Sequence, residues 1–177
     1  TLARVRHPAA GRLNSGVSSQ VEYHEMFKKE PNISVSEVKL SRDYSFMYEN
    51  FVLLTQTGAY LFLEKDGDTT HALHFDSPNC KYGGPNDEAH GGHPLTKYGL
   101  GLYGLYVIEN SPWIHEMMVA NRIHPRHSDS MFIHNKHYIA CFKDVKFESA
   151  CRKVEEITLT RSDIEALINK ELFSLES

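Results

Sequence analysis

Two short runs hold the densest groupings in this chain of side chains that could move a proton or hold a metal ion. The first, residues 85–94, reads Pro-Asn-Asp-Glu-Ala-His-Gly-Gly-His-Pro and sets Asp87, Glu88, His90 and His93 side by side. The second, His124-Pro-Arg-His127, repeats the His-x-x-His spacing next to Asp129. Neither run suits a helix or a central strand. Loops that carry such groups on a rigid scaffold are where function concentrates.

One chemistry for these residues is metal binding. Gly91 and Gly92 let the backbone fold back so that both imidazoles of the first run converge. His90, His93, His124 and His127 are the candidate ligands, and Asp87 and Glu88 complete an N/O set suited to zinc or another first-row divalent ion. The plain alternative is a Gly/Pro loop closed by Asn and Asp side-chain turns, with solvated imidazoles. No H-E-x-x-H helix and no paired Cys-x-x-Cys supports the metal.

A second chemistry needs no metal. Histidine titrates near neutrality, and a carboxylate that fixes its tautomer makes it a proton carrier. His93 or His124 would be that base, oriented by Asp87, Glu88 or Asp129. Glu148 joins them as a catalytic candidate. With a two-residue turn at Asp144-Val145, Phe142 faces Phe147 and Glu148 faces the apolar Cys141. A partly buried carboxylate in that place is expected to have a raised pKa and to act as an acid. Otherwise Lys146, Glu148 and Arg152 are ordinary cross-strand charges on a wet face.

The remaining histidines fit structural roles. The chain has eleven, and two further pairs three residues apart, 71/74 and 134/137, fall on or beside strand patterns. Residues i and i+3 of a strand project from opposite faces, so neither pair can share one ion. Nucleophilic and nucleotide chemistry find little support. No G-x-S-x-G elbow and no phosphate-cradling glycine motif occurs. Cys80 lies next to Lys81, whose charge would lower a thiol pKa, but a free, unreactive surface thiol is the expected reading. The alternating glycines of 97–104 read as close packing along a strand. Tyr98, Tyr103, Tyr106, Trp113 and Tyr138 flank the polar runs, and such rings line pockets as readily as cores.

These residues are carried by 177 residues, enough for one domain with its own core. A hydrophobic share of 41% and a charged share of 24% describe a globular chain. The formal net charge of −4 argues against a nucleic-acid partner, which calls for a concentrated basic face. No apolar run is long enough for a membrane-spanning helix, so no membrane partner is expected. Three cysteines do not make an even disulfide framework, and a cytoplasmic location with reduced thiols is expected. The chain opens at Thr1, which leaves room for a removed leader.

The elements follow from periodicity and breakers. Residues 1–17 read as a flexible lead-in, and 18–30 predicts a short helix stopped by Pro31. Strands are expected over 33–40, 51–55, 60–64 and 70–75, the last two joined by a tight turn at Asp66-Gly67. Residues 76–98 read as one long irregular excursion. A strand over 99–110 leads into a helix that begins at Ser111-Pro112 and turns Trp113, Met117 and Ala120 inward. A hairpin of 138–142 with 146–154 follows, in which Cys141 and Cys151 point to opposite faces. A helix starting near Thr160 closes the chain.

The whole predicts a single α+β domain over 18–177. Its mainly antiparallel, twisted sheet, with room for a barrel-like curl around a pocket, is flanked by two or three helices. The expected function is binding of a small molecule, with hydrolysis, elimination or isomerisation carried out between the 76–98 and 121–136 loops. The alternative is a non-catalytic interaction or neutralising module.

Overall fold

Alternation of apolar and polar residues at period two dominates the middle of the chain, and it resolves into two antiparallel sheets. The computed structural model describes residues 32–48 and 50–175; the expected lead-in and the helix at 18–30 lie outside them. One sheet has five strands. Its order is β1 (Ser34–Glu37), β6 (Gly104–Glu109), β7 (Lys136–Cys141), β8 (Lys146–Cys151) and β5 (Cys80–Gly83). The other has four: β2 (Phe51–Leu54), β3 (Ala59–Asp66), β4 (Thr69–Phe75) and β9 (Val154–Thr160). Two helices, α1 (Pro112–Asn121) and α2 (Arg161–Phe173), complete the α+β domain, and the sheets stay open rather than closing into a barrel. None of the described helices is long and apolar enough to cross a membrane.

The two sheets meet through one face of each. Leu61, Leu73 and Phe75 from the four-stranded sheet share a buried cluster with Leu105, Tyr138, Ala140, Phe147 and Cys151 from the five-stranded one. The Phe75 ring sits 5.0 Å from that of Phe147 and 6.2 Å from that of Tyr138, at the tilted angles aromatic pairs prefer. This core consumes every second residue of β6, β7 and β8. The residues between them necessarily project from the other side.

That other side is covered as well. Tyr106, Ile108, Ile139 and Cys141 form a second buried cluster with Leu95 and Leu100, which come from the segment after β5. Cys141 and Cys151 therefore lie in different clusters, as the alternation predicts, and all three cysteines are free. The glycines of 99–104 allow the close approach expected of them: a side chain on Gly101 would collide with the Tyr106 hydroxyl.

Several boundaries differ from the sequence expectation, each for an identifiable reason. The β3–β4 turn is Gly67-Asp68 rather than Asp66-Gly67, because Asp66 pairs with Thr69 and Gly67 takes a φ of 60°. Residues 76–98 are not structureless: they contain β5 and 3-10 turns at Asp87–Gly92 and Thr96–Tyr98. Strand β6 starts at Gly104 instead of residue 99, since Gly99 and Tyr103 both have positive φ. The strand expected over 146–154 ends at Cys151, and the chain crosses to the other sheet as β9. Asp76 marks that crossover: its Oδ1 accepts the backbone N–H groups of Arg152 and Lys153, both at 2.9 Å.

Candidate functional site

The outer face of the five-stranded sheet carries the polar groups. On β7 and β8, His137, Ile139 and Cys141 share this face with Ala150, Glu148 and Lys146, because the first three alternate with core residues and pair across with the last three. The turn between the strands has four residues, 142–145, closed by the Phe142 N–H on the Val145 carbonyl at 2.9 Å. The expected two-residue turn is thus corrected: Cys141 stands opposite Lys146, and Glu148 opposite Ile139. A slip of two keeps every side chain on its expected face.

Glu148 ends a hydrogen-bonded chain that runs through His137 to Ser111. Its Oε2 is 3.0 Å from His137 Nε2, and His137 Nδ1 is 2.9 Å from Ser111 Oγ. A carboxylate only accepts, so in the neutral ring Nε2 donates to Glu148 and Nδ1 accepts from the Ser111 hydroxyl. Ser111 also caps α1, accepting the Ile114 N–H at 3.4 Å. Its position follows from Asn110, whose φ of 54° turns the chain sharply from β6 into the helix. Asn tolerates that left-handed conformation better than most residues.

Exposure rises along the chain of contacts. Ser111 and His137 are almost fully buried, at 4% and 3% exposed, while the Glu148 side chain is 18% exposed. Glu148 is therefore the member that reaches solvent. Burial pushes its pKa up, but the His137 hydrogen bond and the charges of His137, Lys81 and His93 outweigh it, and the net shift is downward. The expectation of a raised pKa and an acid role is corrected: the histidine that reverses the sign stands diagonally across the hairpin. Lys81, opposite Glu148 on β5, brings its Nζ to 4.0 Å from Oε2 and 4.0 Å from the centre of the Trp113 ring. The same indole meets the His137 ring edge-on at 5.0 Å.

The 85–94 run folds over this face. Asn86 caps the Asp87–Gly92 turn by accepting the Ala89 N–H at 3.2 Å. His90 is buried and its Nε2 is 2.9 Å from the Leu100 carbonyl, so it fastens the loop to the segment before β6. Nδ1 of His90 is buried with no hydrogen-bond partner among the described residues. His93 is half-buried, and its Nδ1 accepts the Leu95 N–H at 3.3 Å, leaving Nε2 to carry the hydrogen in the neutral ring. Burial lowers its pKa; the Glu148 charge opposes that shift, and Lys146, His90 and His137 reinforce it. Lys146 is buried and donates to the Pro85 carbonyl at 2.9 Å, tying the loop to β8.

The remaining candidates are placed elsewhere. Asp87 accepts the Tyr103 hydroxyl, which lowers its pKa, and it orients no imidazole. Glu88 is exposed. His124 is exposed and accepts the Arg126 N–H at 3.1 Å. His127 bridges Asn121, at 3.0 Å, and Asp129, at 2.6 Å, within its own loop. Asp129 is held down to about 2 by hydrogen bonds from Arg122 and His127. No hydrogen bond or ion pair among the described residues joins His124 or His127 to His90 or His93. No three His, Cys, Asp or Glu side chains among those residues gather as a metal ion requires. His90, His93, His124 and His127 do not make one centre.

Cys80 is free and burial raises its pKa; Lys81, the next residue on the strand, projects to the other face. A cleft of about 560 Å³ lies away from these groups, lined by Phe46, Met47, Tyr48, Phe51 and Phe62 among others. It offers apolar surface without the acid–base pair. Of the residues that matter, sequence reasoning singled out Glu148 and His93 for chemistry but not His137, Ser111 or Lys81. The available signal was the shared phase of His137 and Glu148 on facing strands. Comparison of the chain with protein-family models, with curated proteins and with solved structures yields no match.

Proposed function

We propose that the outer face of the five-stranded sheet is a small-molecule site that carries out acid–base chemistry, with His93 as the proton carrier. One observation carries this reading: a half-buried imidazole, its Nδ1 held by the Leu95 N–H, stands in the field of a carboxylate that is itself held 3.0 Å from the ring of buried His137. With Nδ1 engaged by the Leu95 N–H and Nε2 carrying the hydrogen, the neutral ring takes a substrate proton at Nδ1 once that 3.3 Å contact opens, and the Glu148 charge stabilises the imidazolium that results. His137 and Ser111 are positioning residues, holding the carboxylate where that charge is felt. Elimination, isomerisation and hydrolysis all use such a base.

Proton NMR titration of His93 tests the reading directly. Its pKa is expected below 6.5 in the native protein and lower still in Glu148→Gln, which removes the attraction that favours the charged ring. A metabolite thermal-shift screen, followed by turnover of the hits, supplies the functional arm, with His93→Gln expected to bind but not convert them. An ordinary His93 titration, unmoved by Glu148→Gln, sinks the proposal.

A second reading, an interaction module, has one specific observation in its favour. Helix α2 exposes Ile168, Leu172 and Phe173, and Leu175 continues the apolar series just beyond it. Light scattering across a concentration series tests self-association through that helix.

A further inference from the structure

The ammonium group of Lys81 occupies a cradle with two distinct walls. One is the Trp113 indole, whose centre lies 4.0 Å from Nζ; the other is Glu148, whose Oε2 lies 4.0 Å from the same atom. Each wall is fixed independently of the lysine. Glu148 is anchored by the His137 ring at 3.0 Å, and Trp113 sits in the first turn of α1 with His137 edge-on against it. A π-face beside an ionised carboxylate is the arrangement that recognises organic cations, ammonium and methylated ammonium groups above all.

The lysine itself is loosely held. It comes from β5, a four-residue strand at the edge of its sheet, and its side chain is 54% exposed. An aliphatic stem of that kind swings into water readily, because its ammonium already meets solvent and the 4.0 Å ion pair is too long for a direct hydrogen bond. The cradle is thus better fixed than its occupant. Resting on the reading of this face as a small-molecule site, we infer that the site takes a ligand bearing an ammonium or methylated ammonium group, and that Lys81 is a resident stand-in which such a ligand displaces. The ligand's cation would then lie between Trp113 and Glu148, on the face that His93 overhangs.

Trp113 is the single tryptophan of the chain, so its fluorescence reports on this cradle alone. Tetramethylammonium chloride, titrated against sodium chloride at matched ionic strength, is the probe. In Lys81→Ala, where the internal competitor is gone, a saturable change is expected with a midpoint at least tenfold below that of the native protein. In Lys81→Ala/Glu148→Gln the saturable change is expected to vanish. Lys81→Ser serves as a second opening variant, and circular dichroism verifies the fold of each. The inference is overturned if the opened variants respond no better than the native chain, or if the response persists without the carboxylate. The His93 titration reads the proton-transfer proposal separately, so failure of one is distinguishable from failure of the other.

Discussion

His137 and Glu148 meet diagonally across the β7–β8 hairpin: each stands opposite an apolar residue, Ala150 and Ile139 respectively, yet their side chains close to 3.0 Å. The contact makes a mostly buried carboxylate tolerable, because a charge taken out of water needs a donor fixed in place. It also couples the strand pairing to the electrostatics of the site.

Breaking that contact from the histidine side is expected to be expensive. His137→Leu leaves Glu148 buried without its donor and should lower stability by about 3 kcal/mol in urea denaturation. Glu148→Gln keeps an acceptor for the imidazole and should cost about 1 kcal/mol. A double-mutant cycle between the two sites should show a coupling of at least about 1 kcal/mol. Additive effects would mean that the diagonal contact contributes nothing.

Stability should fall with acid in two stages. His93 has a folded pKa below its ordinary value of 6.5, so the unfolded chain binds its proton first. Its contribution is complete above 6.5 and is lost as pH falls through the folded value. Glu148 has a folded pKa below its ordinary 4.5, so its share is complete above 4.5 and disappears at lower pH still. Thermal melts from pH 8 to pH 3 should show both losses. His93→Gln should remove the upper stage, and Glu148→Gln the lower while deepening the upper, because it also lowers the His93 pKa.

The three thiols should separate by reactivity. Burial pushes Cys141 up to about 12 and Cys151 up to about 11, with both side chains inside apolar clusters. Cys80 is partly exposed, its pKa raised by burial to a lesser degree of protection. A colorimetric thiol titration of the native protein at pH 8 should find one slowly reacting group. All three should appear once the protein is unfolded.

Asp76 should matter more than its exposure suggests. Its carboxylate closes the sheet-to-sheet crossover by accepting two consecutive backbone N–H groups at 2.9 Å. Asp76→Ala should cost about 1.5 kcal/mol, and Asp76→Asn, which keeps the acceptor, clearly less. Equal losses for both would assign the effect to charge rather than to the two hydrogen bonds.

Local patterning made much of this fold legible. The β3–β4 hairpin, the Ser111 start of α1, the Thr160 capping box of α2 and the opposite facing of Cys141 and Cys151 all follow from spacing and residue type. What escaped was set by pairing at a distance. Strand β9 was hidden because its burial alternates weakly at the edge of the second sheet. The site escaped for a related reason. The 85–94 run attracted attention by density, but His90 and Asp87 are used to fasten the loop through Leu100 and Tyr103. The partner that holds the Glu148 pKa down is a strand histidine, and its spacing from His134, which lies in the turn before β7, carries no signal of that pairing.

Ser111 serves two structures at once, holding the first turn of α1 through Ile114 and the imidazole of His137 through its hydroxyl. Fraying of that turn and rotation of the ring are consequently a single event. Whatever tugs on the start of the helix also retunes the carboxylate two links away, so the hydroxyl works as a joint through which motion becomes charge.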